Sequence, residues 1–283
     1  MKFSEETYRL NNGERIPMIG FGTWQAADGK EAEKSVLSAL EAGYRHIDTA
    51  AIYKNEESVG RAIKKSGIKR EELFVTTKLW NDSHSYELAK LAIEESLKKL
   101  DLDYVDLYLI HWPNPLAIRG EYQVANTESW RAMEEAVSEG KIKSIGVSNF
   151  HPHHLKELLK TAIIKPVVNQ IYLNPSDSQP ELVNYCQKQD ILLEAYSPLG
   201  TGQIFEILEL KQLTEKYQKT VAQIVLRWSI QHGFLPLPKS VTAERIAENI
   251  NIFDFELSED DMLLIDGFYG KAGSAKNPDE VEF

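Results

Sequence analysis

Short runs rich in valine, isoleucine, leucine and tyrosine alternate with longer helical patterns along almost the whole chain. The runs are continuous rather than alternating with polar residues, which is typical of strands buried on both faces of a parallel sheet. The candidate strands are residues 18–22, 44–49, 73–78, 104–111, 142–148, 167–170, 191–196 and 234–238. The candidate helices are residues 31–43, 56–67, 87–100, 128–140, 153–161, 180–189, 221–232 and 244–253. Eight such units in about 250 residues predict an α/β fold, a closed (β/α)8 TIM barrel.

Some segments fall outside this repeat. Residues 7–18 predict a β-hairpin around Asn12-Gly13, a strong turn dipeptide, and we expect it to cover the N-terminal end of the barrel. Two extra helices are predicted at residues 204–219 and 258–268. The polar segment after them predicts a loop over one barrel mouth. Because no Pro-, Gly- or Ser-rich linker interrupts the chain, residues 1–283 are predicted to form a single domain.

Composition excludes several classes of protein. The chain is 42% apolar and 27% charged, which predicts a folded core rather than disorder. It has no run of about 18 apolar residues, and MKFSEETYRL lacks the apolar core of a signal peptide. With one cysteine, Cys186, these features favour a cytoplasmic protein. The net charge of −11 argues against binding to nucleic acid or anionic membranes, so an anionic ligand would need a local basic cluster.

Ionisable residues close three successive candidate strands. Asp48, Lys78 and His111 stand at these strand ends, and Tyr53 follows Asp48 by five residues. Taken singly, they have ordinary explanations: a turn former, a solvated lysine, a core histidine and a rim aromatic. In a parallel barrel, however, the C-terminal strand ends meet around one mouth, where polar residues are typical of catalysis. Their coincidence predicts an active site.

These four side chains together would make a proton donor aimed at a carbonyl. A phenol with a pKa near 10 is a weak acid at neutral pH. A buried lysine beside Tyr53 would stabilise the phenolate and lower its pKa, and Asp48 would hold that lysine charged. A neutral His111 could donate a hydrogen bond to the carbonyl oxygen. None of the four can reduce anything, so such a site needs a hydride source.

Other ligand motifs are absent or weak in the sequence. Gly20-Phe21-Gly22 lacks the third glycine of the dinucleotide-binding fingerprint, and no P-loop motif exists. The cluster of His151, His153 and His154 has no standard metal-ligand spacing and no carboxylate or cysteine to complete it, so we interpret it as a helix start and predict no metal. A basic cluster at residues 239–245 follows the last candidate strand and opens a helix, which favours phosphate binding.

Over essentially its whole length, the chain resembles the aldo-keto reductase family. The family implies an (α/β)8 barrel and NADPH-dependent reduction of carbonyls to alcohols. The short polar tail after Gly267 resembles the bacterial diketogluconate-reductase branch and implies an open pocket. The segments that carry the resemblance are GYRHIDTAAIYKNEESVG (43–60), LFVTTKLW (73–80), DYVDLYLIHWP (103–113), IGVSNF (145–150), VVNQIYLNP (167–175), AYSPLG (195–200) and PKSVTAERIAENINIFDFELS (238–258).

The resemblance also implies roles for individual residues. Tyr53 would be the proton donor, and Asp48, Lys78 and His111 would complete a catalytic tetrad. The substrate pocket would be lined by Trp24, Trp80, Trp112 and His111. The remaining residues would bind NADPH, and Thr23 would be one contact. At the nicotinamide, the carboxamide would be held by Ser148, Asn149 and Gln170, and the ring would be stacked on Tyr196. The pyrophosphate would lie along Ser197 and Leu199, the 2′-phosphate would be bound by Lys239, Ser240, Val241, Thr242 and Arg245, and the adenine would be reached by Glu248 and Asn249.

The expected function is therefore NADPH-dependent reduction of small aldehydes and ketones, such as methylglyoxal, aromatic aldehydes or keto-sugar acids, by a monomer. Two alternatives stay open. A barrel aldolase could use Lys78 as a Schiff-base nucleophile, because the fold permits that chemistry. A non-catalytic NADPH-binding protein could share the same fold, because fold alone does not fix function.

Overall fold

The computed structural model describes residues 6–283 and contains a sheet of eight parallel strands. Its strands are β3 (Phe21–Gly22), β4 (His46–Asp48), β5 (Phe74–Leu79), β6 (Val105–Ile110), β7 (Ile142–Ser148), β8 (Val168–Tyr172), β9 (Leu192–Tyr196) and β10 (Leu235–Leu237). Neighbours pair in chain order, all in parallel. The N–H groups of Gly20 and Gly22 donate to the carbonyls of Pro236 and Pro238, which joins the β3 edge of the sheet to its β10 edge. The predicted closed barrel is confirmed.

Ten helices accompany the strands in the described part of the chain. They are α1 (Lys30–Ala42), α2 (Glu56–Ser66), α3 (Tyr86–Leu100), α4 (Tyr122–Ser138), α5 (Pro152–Leu158), α6 (Pro180–Lys188), α7 (Leu208–Tyr217), α8 (Val221–Gln231), α9 (Ala243–Ile250) and α10 (Glu259–Asp266). Side-chain caps begin three of them: the Ser85 hydroxyl accepts a hydrogen bond from the Leu88 N–H in α3, Thr220 accepts one from the Gln223 N–H in α8, and Ser258 accepts one from the Asp261 N–H in α10. Each cap satisfies a backbone donor that the helix leaves free.

Two helices begin several residues away from their predicted starts. Helix α4 begins at Tyr122, well before residue 128. The first extra helix begins at Leu208 rather than residue 204, because residues 200–206 form a separate 3-10 segment. Thr201 and Gly202 in that segment have φ values of 52° and 97°, which an α-helix does not allow.

The N-terminal hairpin closes one end of the barrel, as predicted. Strands β1 (Thr7–Arg9) and β2 (Arg15–Pro17) pair in antiparallel fashion. Leu10 and Ile16 are buried in a cluster with apolar residues of the barrel strands, including Leu107 and Leu235. The Asn11 side-chain amide donates to the backbone carbonyls of residues 166 and 190, just ahead of β8 and β9. Apolar side chains therefore fill this end of the barrel.

Within residues 6–283, none of the helices is long and apolar enough to cross a membrane. The first five residues lie outside the described range. The prediction that the chain starts without a targeting signal rests on residues 1–10, so half of that segment lies outside the described residues.

Candidate active site

The floor of the C-terminal mouth is a buried ion pair. Lys78 lies in β5 with its side chain fully buried, and Asp48 ends β4. The Lys78 Nζ donates to Asp48 Oδ1 at 2.7 Å and to the Thr49 carbonyl oxygen at 2.9 Å. The other Asp48 oxygen, Oδ2, accepts from Gln170 Nε2 at 2.8 Å. Both carboxylate oxygens are thus satisfied, as a buried charge requires.

Tyr53 and His111 stand above this pair. Tyr53 ends a 3-10 turn, Ala51–Tyr53, that follows β4, and the Lys78 Nζ lies 5.1 Å from the centre of its ring. His111 follows β6, and its ring centre is 5.8 Å from that of Tyr53 in an edge-to-face arrangement. The fold therefore brings the four predicted catalytic side chains together at one mouth.

The protonation states follow from burial and from the neighbouring charges. Burial alone would lower the pKa of Lys78, but attraction from Asp48, Tyr53 and Glu194 outweighs it, so the pKa stays above its usual value and the amine is charged. Burial, assisted by the Lys78 charge, holds the pKa of His111 well below its usual value, so the imidazole is neutral. A neutral imidazole can donate one hydrogen bond without carrying charge.

The expected fall in the pKa of Tyr53 is only partly right. The Lys78 charge does lower it, but burial of the phenol is the larger effect and raises the pKa above 10.0. Asp48 adds to the rise because its negative charge disfavours a nearby phenolate. The structure therefore keeps Tyr53 protonated at neutral pH, and the Lys78 ammonium is the neighbouring charge that favours its phenolate form.

Sequence reasoning missed Glu194, a buried acid beside the ion pair. Glu194 lies level with Gln170 in the register of β8 and β9, and its Oε2 accepts from Gln170 Nε2 at 2.7 Å. The same nitrogen donates to Asp48, so one amide bridges two carboxyl groups. Burial, reinforced by repulsion from Asp48, raises the pKa of Glu194 to about 8. The available signal was a lone acid inside the apolar run ILLEAY.

A hydrogen-bonded group connects the ends of β7, β8 and β9. The Ser148 hydroxyl donates to the Gln170 carbonyl at 2.8 Å. Asn149 has a left-handed backbone, with φ of 62°, and its amide donates to the His111 carbonyl and to the Ser148 hydroxyl. Its Oδ1 accepts from the Tyr196 hydroxyl at 2.8 Å. These contacts fix the Asn149 amide and the Tyr196 ring at the cavity wall.

A cavity of about 980 Å³ opens above the floor. Ligand sites typically occupy about 300–1,000 Å³, so this volume is at the upper end. The predicted site residues that line it are Trp24, Asp48, Tyr53, Trp80, His111, Trp112, Asn149, Gln170, Tyr196, Ser197, Leu199, Lys239, Ser240, Arg245, Glu248 and Asn249.

Five predicted site residues do not line the cavity. Lys78, Thr23 and Ser148 are buried behind its wall, where Thr23 donates through its N–H and its hydroxyl to the Asp48 carbonyl. Val241 and Thr242 are exposed outside it, and Thr242 precedes the first residue of α9. Lys78, Thr23 and Ser148 therefore support residues of the wall. Only a ligand that extends past Ser240 would reach Val241 and Thr242.

The basic end of the cavity lies between β10 and α9. Arg245 and Lys239 are both in the wall. The Lys239 Nζ donates to the Gln25 carbonyl at 3.2 Å across the cavity mouth. The helix N-terminus adds backbone N–H groups and a partial positive charge. This is the local cationic cluster that an anionic ligand needs in a chain of charge −11.

Aromatic side chains form the opposite end, and one of them was missed. Phe283 stacks on Trp80 with ring centres 6.0 Å apart and meets Trp112 edge-on at 5.2 Å. Its backbone carbonyl accepts from the Leu116 N–H at 3.2 Å. The polar tail therefore loops over the mouth, as predicted, but it narrows the cavity instead of leaving it open. No periodic pattern marks this contact in the sequence.

The expectation that no carboxylate completes the histidine cluster is wrong. His151 does precede the predicted helix, α5. However, Asp279 of the tail lies against it, with Oδ2 at 3.1 Å from His153 Nε2 and Oδ1 at 2.9 Å from His154 Nε2. The carboxylate is remote in sequence, so spacing alone could not reveal it.

Comparisons with known proteins agree with this geometry. Residues 18–269 match the model of the aldo/keto reductase family. The chain is 50% identical over 279 residues to the glyoxal reductase of Bacillus subtilis, covering 99% of this chain and 98% of that protein. It is 47% identical over 256 residues to the methylglyoxal reductase DkgA of Escherichia coli, covering 90% of each.

Solved structures with the same fold match almost the whole chain. An aldo-keto reductase from a Medee basin deep-sea metagenome library superposes with a TM-score of 0.92 at 44% identity, covering 98% of this chain and 100% of that one. A Bombyx mori aldo-keto reductase in complex with NADP gives a TM-score of 0.86 at 42% identity, covering 94% and 93%. The chain therefore belongs to the aldo/keto reductase family and is an oxidoreductase that acts on carbonyl groups.

Proposed function

We propose that the protein reduces small 2-oxoaldehydes, methylglyoxal and glyoxal foremost, to hydroxy compounds with NADPH. The observation that carries the proposal is the juxtaposition of Tyr53, His111 and the Lys78–Asp48 pair beneath a cavity with one basic end and one aromatic end. The similarity to a glyoxal reductase and a methylglyoxal reductase supports this substrate class.

The cavity wall offers the groups that NADPH requires. Both N–H groups of the Gln170 amide are used by Asp48 and Glu194, which turns its carbonyl oxygen away from them as a free acceptor for a carboxamide. The Tyr196 ring, fixed by Asn149, offers a flat apolar face at the wall. At the far end, Lys239 and Arg245 would hold the 2′-phosphate through charge-assisted hydrogen bonds. When bound, the reduced nicotinamide supplies the hydride.

The protein's own residues manage the proton and the developing negative charge. Tyr53 would transfer its phenolic proton to the carbonyl oxygen of the substrate, and the resulting phenolate would be stabilised by the Lys78 ammonium. Neutral His111 would donate a hydrogen bond to the same oxygen and orient it. Asp48 would hold Lys78 charged and in place.

The aromatic end sets the size of the substrate. Trp24, Trp80, Trp112 and Phe283 present flat apolar faces, and the exposed Lys276, which also lines the cavity, places its Nζ 5.2 Å from the centre of the Phe283 ring. A carbonyl compound would pack against these rings in proportion to its own apolar surface, so an aromatic aldehyde would make more ring contacts than glyoxal. The predicted cytoplasmic location and monomeric state stay predictions.

Steady-state oxidation of NADPH with methylglyoxal tests the proposal, with the Tyr53→Phe variant as the key comparison. Losing only the phenolic hydroxyl should lower kcat roughly 10²- to 10⁴-fold while NADPH binding is kept. Tyr172→Phe is a matched control, because the Tyr172 hydroxyl also lies in the cavity region but donates to the Ala272 carbonyl at 3.2 Å. A Tyr53→Phe rate within threefold of wild type would remove Tyr53 from the mechanism.

The aldolase alternative is weakened by the position of Lys78. A Schiff-base lysine must reach a substrate carbonyl with its free amine. The Lys78 Nζ is fully buried, paired with Asp48 and absent from the cavity wall. Borohydride treatment with methylglyoxal should leave Lys78 unmodified, and covalent trapping there would favour the aldolase instead.

A further inference from the structure

We propose that His151, His153 and Asp279 form a binding site for a divalent transition metal such as Zn²⁺, at the side of the barrel mouth. Each residue offers one ligand atom, and these atoms lie within 4.8 Å of one another. None of the three lines the active-site cavity, so the site is separate from the reduction chemistry. Hydrogen bonds from neighbouring side chains fix the Asp279 carboxylate beside the two histidines.

The carboxylate of Asp279 is already oriented for a metal. Its Oδ1 accepts from Asn114 Nδ2 at 2.7 Å and from His154 Nε2 at 2.9 Å, and both donor side chains are buried. His154 Nδ1 in turn accepts from the His151 N–H at 3.1 Å, so the ring proton is on Nε2. Hydrogen bonds to one oxygen of a ligating carboxylate are typical of the outer shell of metal sites.

This arrangement leaves the other oxygen, Oδ2, facing the exposed imidazole of His153. The two atoms are 3.1 Å apart. Zn²⁺ bonds of 2.0–2.2 Å in tetrahedral geometry separate neighbouring ligand atoms by about 3.3 Å. The observed separation is therefore close to that of two atoms that ligate the same Zn²⁺ ion. Two imidazole nitrogens and one carboxylate oxygen form a donor set that suits Zn²⁺, Co²⁺ or Ni²⁺, with water in the fourth position.

Metal binding would also fasten the tail to the body of the protein. His151 and His153 belong to the start of α5, whereas Asp279 is more than 120 residues away in sequence. Arg119 donates to the Val281 carbonyl, and Phe283 beyond it forms part of the cavity wall. A metal would thus hold the segment that carries Phe283 in place. This effect on substrate rests on the proposed function, whereas metal binding itself does not.

The competing explanation is that Asp279 only fastens the tail by hydrogen bonds. Titration calorimetry of chelator-treated protein with ZnCl₂ separates the two, with Co²⁺ absorption in the visible range as an independent readout of tetrahedral coordination. We expect one Zn²⁺ per chain, and His153→Gln should weaken binding at least 10-fold. Because His153 is exposed, this change should leave the fold intact.

Two controls sharpen the test. His232→Gln removes a partly exposed histidine that is paired with Asp266 elsewhere, and it should bind Zn²⁺ like wild type. MgCl₂ should give no heat at the site, because imidazole is a poor ligand for Mg²⁺. Zn²⁺ should also slow hydrogen exchange of the tail amides in wild type but not in His153→Gln. Absence of Zn²⁺ binding below millimolar concentration, or equal affinity in His153→Gln, would overturn the proposal, even if the reductase assay succeeded.

Discussion

Glu194 should make the stability of the protein fall with rising pH. Burial and the neighbouring Asp48 raise the pKa of Glu194 from 4.5 to about 8, so the folded protein holds a proton there that the unfolded chain releases near its ordinary pKa. Between these two values the folded state binds more protons, and the free energy of unfolding therefore decreases as pH rises. The stabilising contribution is fully present below about pH 4.5 and is lost as pH passes through about 8.

Glu194→Gln removes this titration with almost no change of shape. The amide is neutral at every pH, and its carbonyl oxygen can accept the hydrogen bond from Gln170 that Glu194 Oε2 accepts now. Glu194 Oε1 has no hydrogen-bond partner within residues 6–283, so the new amide nitrogen replaces a group that is already unpaired. One pKa unit corresponds to about 1.4 kcal/mol, so between pH 6 and pH 8 wild type should lose roughly 2 kcal/mol relative to the variant.

Urea unfolding at pH 6, 7 and 8, followed by far-UV circular dichroism, measures this difference. Glu56 is another buried acid whose pKa is raised by burial, so the wild-type profile alone would mix two groups. Subtracting the wild-type unfolding free energy from that of Glu194→Gln at each pH isolates Glu194. Parallel pH profiles for the two proteins would show that Glu194 is ionised at neutral pH and would refute the reasoning.

Three further predictions concern the candidate active site. Lys78→Met should abolish reduction and shift the pH profile of kcat/KM, and a Lys78→Met/Asp48→Asn double variant controls for the unpaired buried carboxylate that the single change leaves. Arg245→Ala should weaken NADPH binding about 10- to 100-fold and NADH binding hardly at all, because a charge-assisted hydrogen bond contributes roughly 1.5–3 kcal/mol. Phe283→Ala should raise KM for aromatic aldehydes about 2- to 10-fold through lost ring contacts, with little change for glyoxal.

Each of these has a contrary outcome. An unchanged pH profile of kcat/KM in Lys78→Met would show that Lys78 does not influence the pKa of the proposed proton donor, Tyr53. Equal losses for NADH and NADPH in Arg245→Ala would mean that the guanidinium does not contact the phosphate. Equal changes in KM for aromatic aldehydes and glyoxal in Phe283→Ala would show that the ring supports the tail rather than the substrate.

The barrel and the floor of its mouth were predictable because they depend on local patterns. Apolar runs fix the strands, and parallel strands bring their C-terminal ends together, so Asp48, Lys78 and His111 had to converge once the barrel was recognised. Glu194 was hidden because one acid in an apolar run does not reveal which face it occupies. Asp279 and Phe283 belong to an irregular tail, whose contacts follow from three-dimensional packing and leave no period in the sequence.

The hairpin closes the N-terminal end of the barrel, so ligands cannot pass through the barrel. Leu10 and Ile16 pack in one apolar cluster with Leu107 and Leu235 and fill this end of the barrel, so a ligand has to approach the cavity from the C-terminal ends of the strands. Substrate, product and nucleotide would then all enter and leave at this same mouth of the barrel. Trp24 lines the cavity with 47% of its surface exposed, so a ligand beside it would lie close to any other ligand that enters or leaves. The binding and release of ligands at this mouth, rather than the chemical step alone, can therefore set the order in which ligands exchange and the rate of turnover.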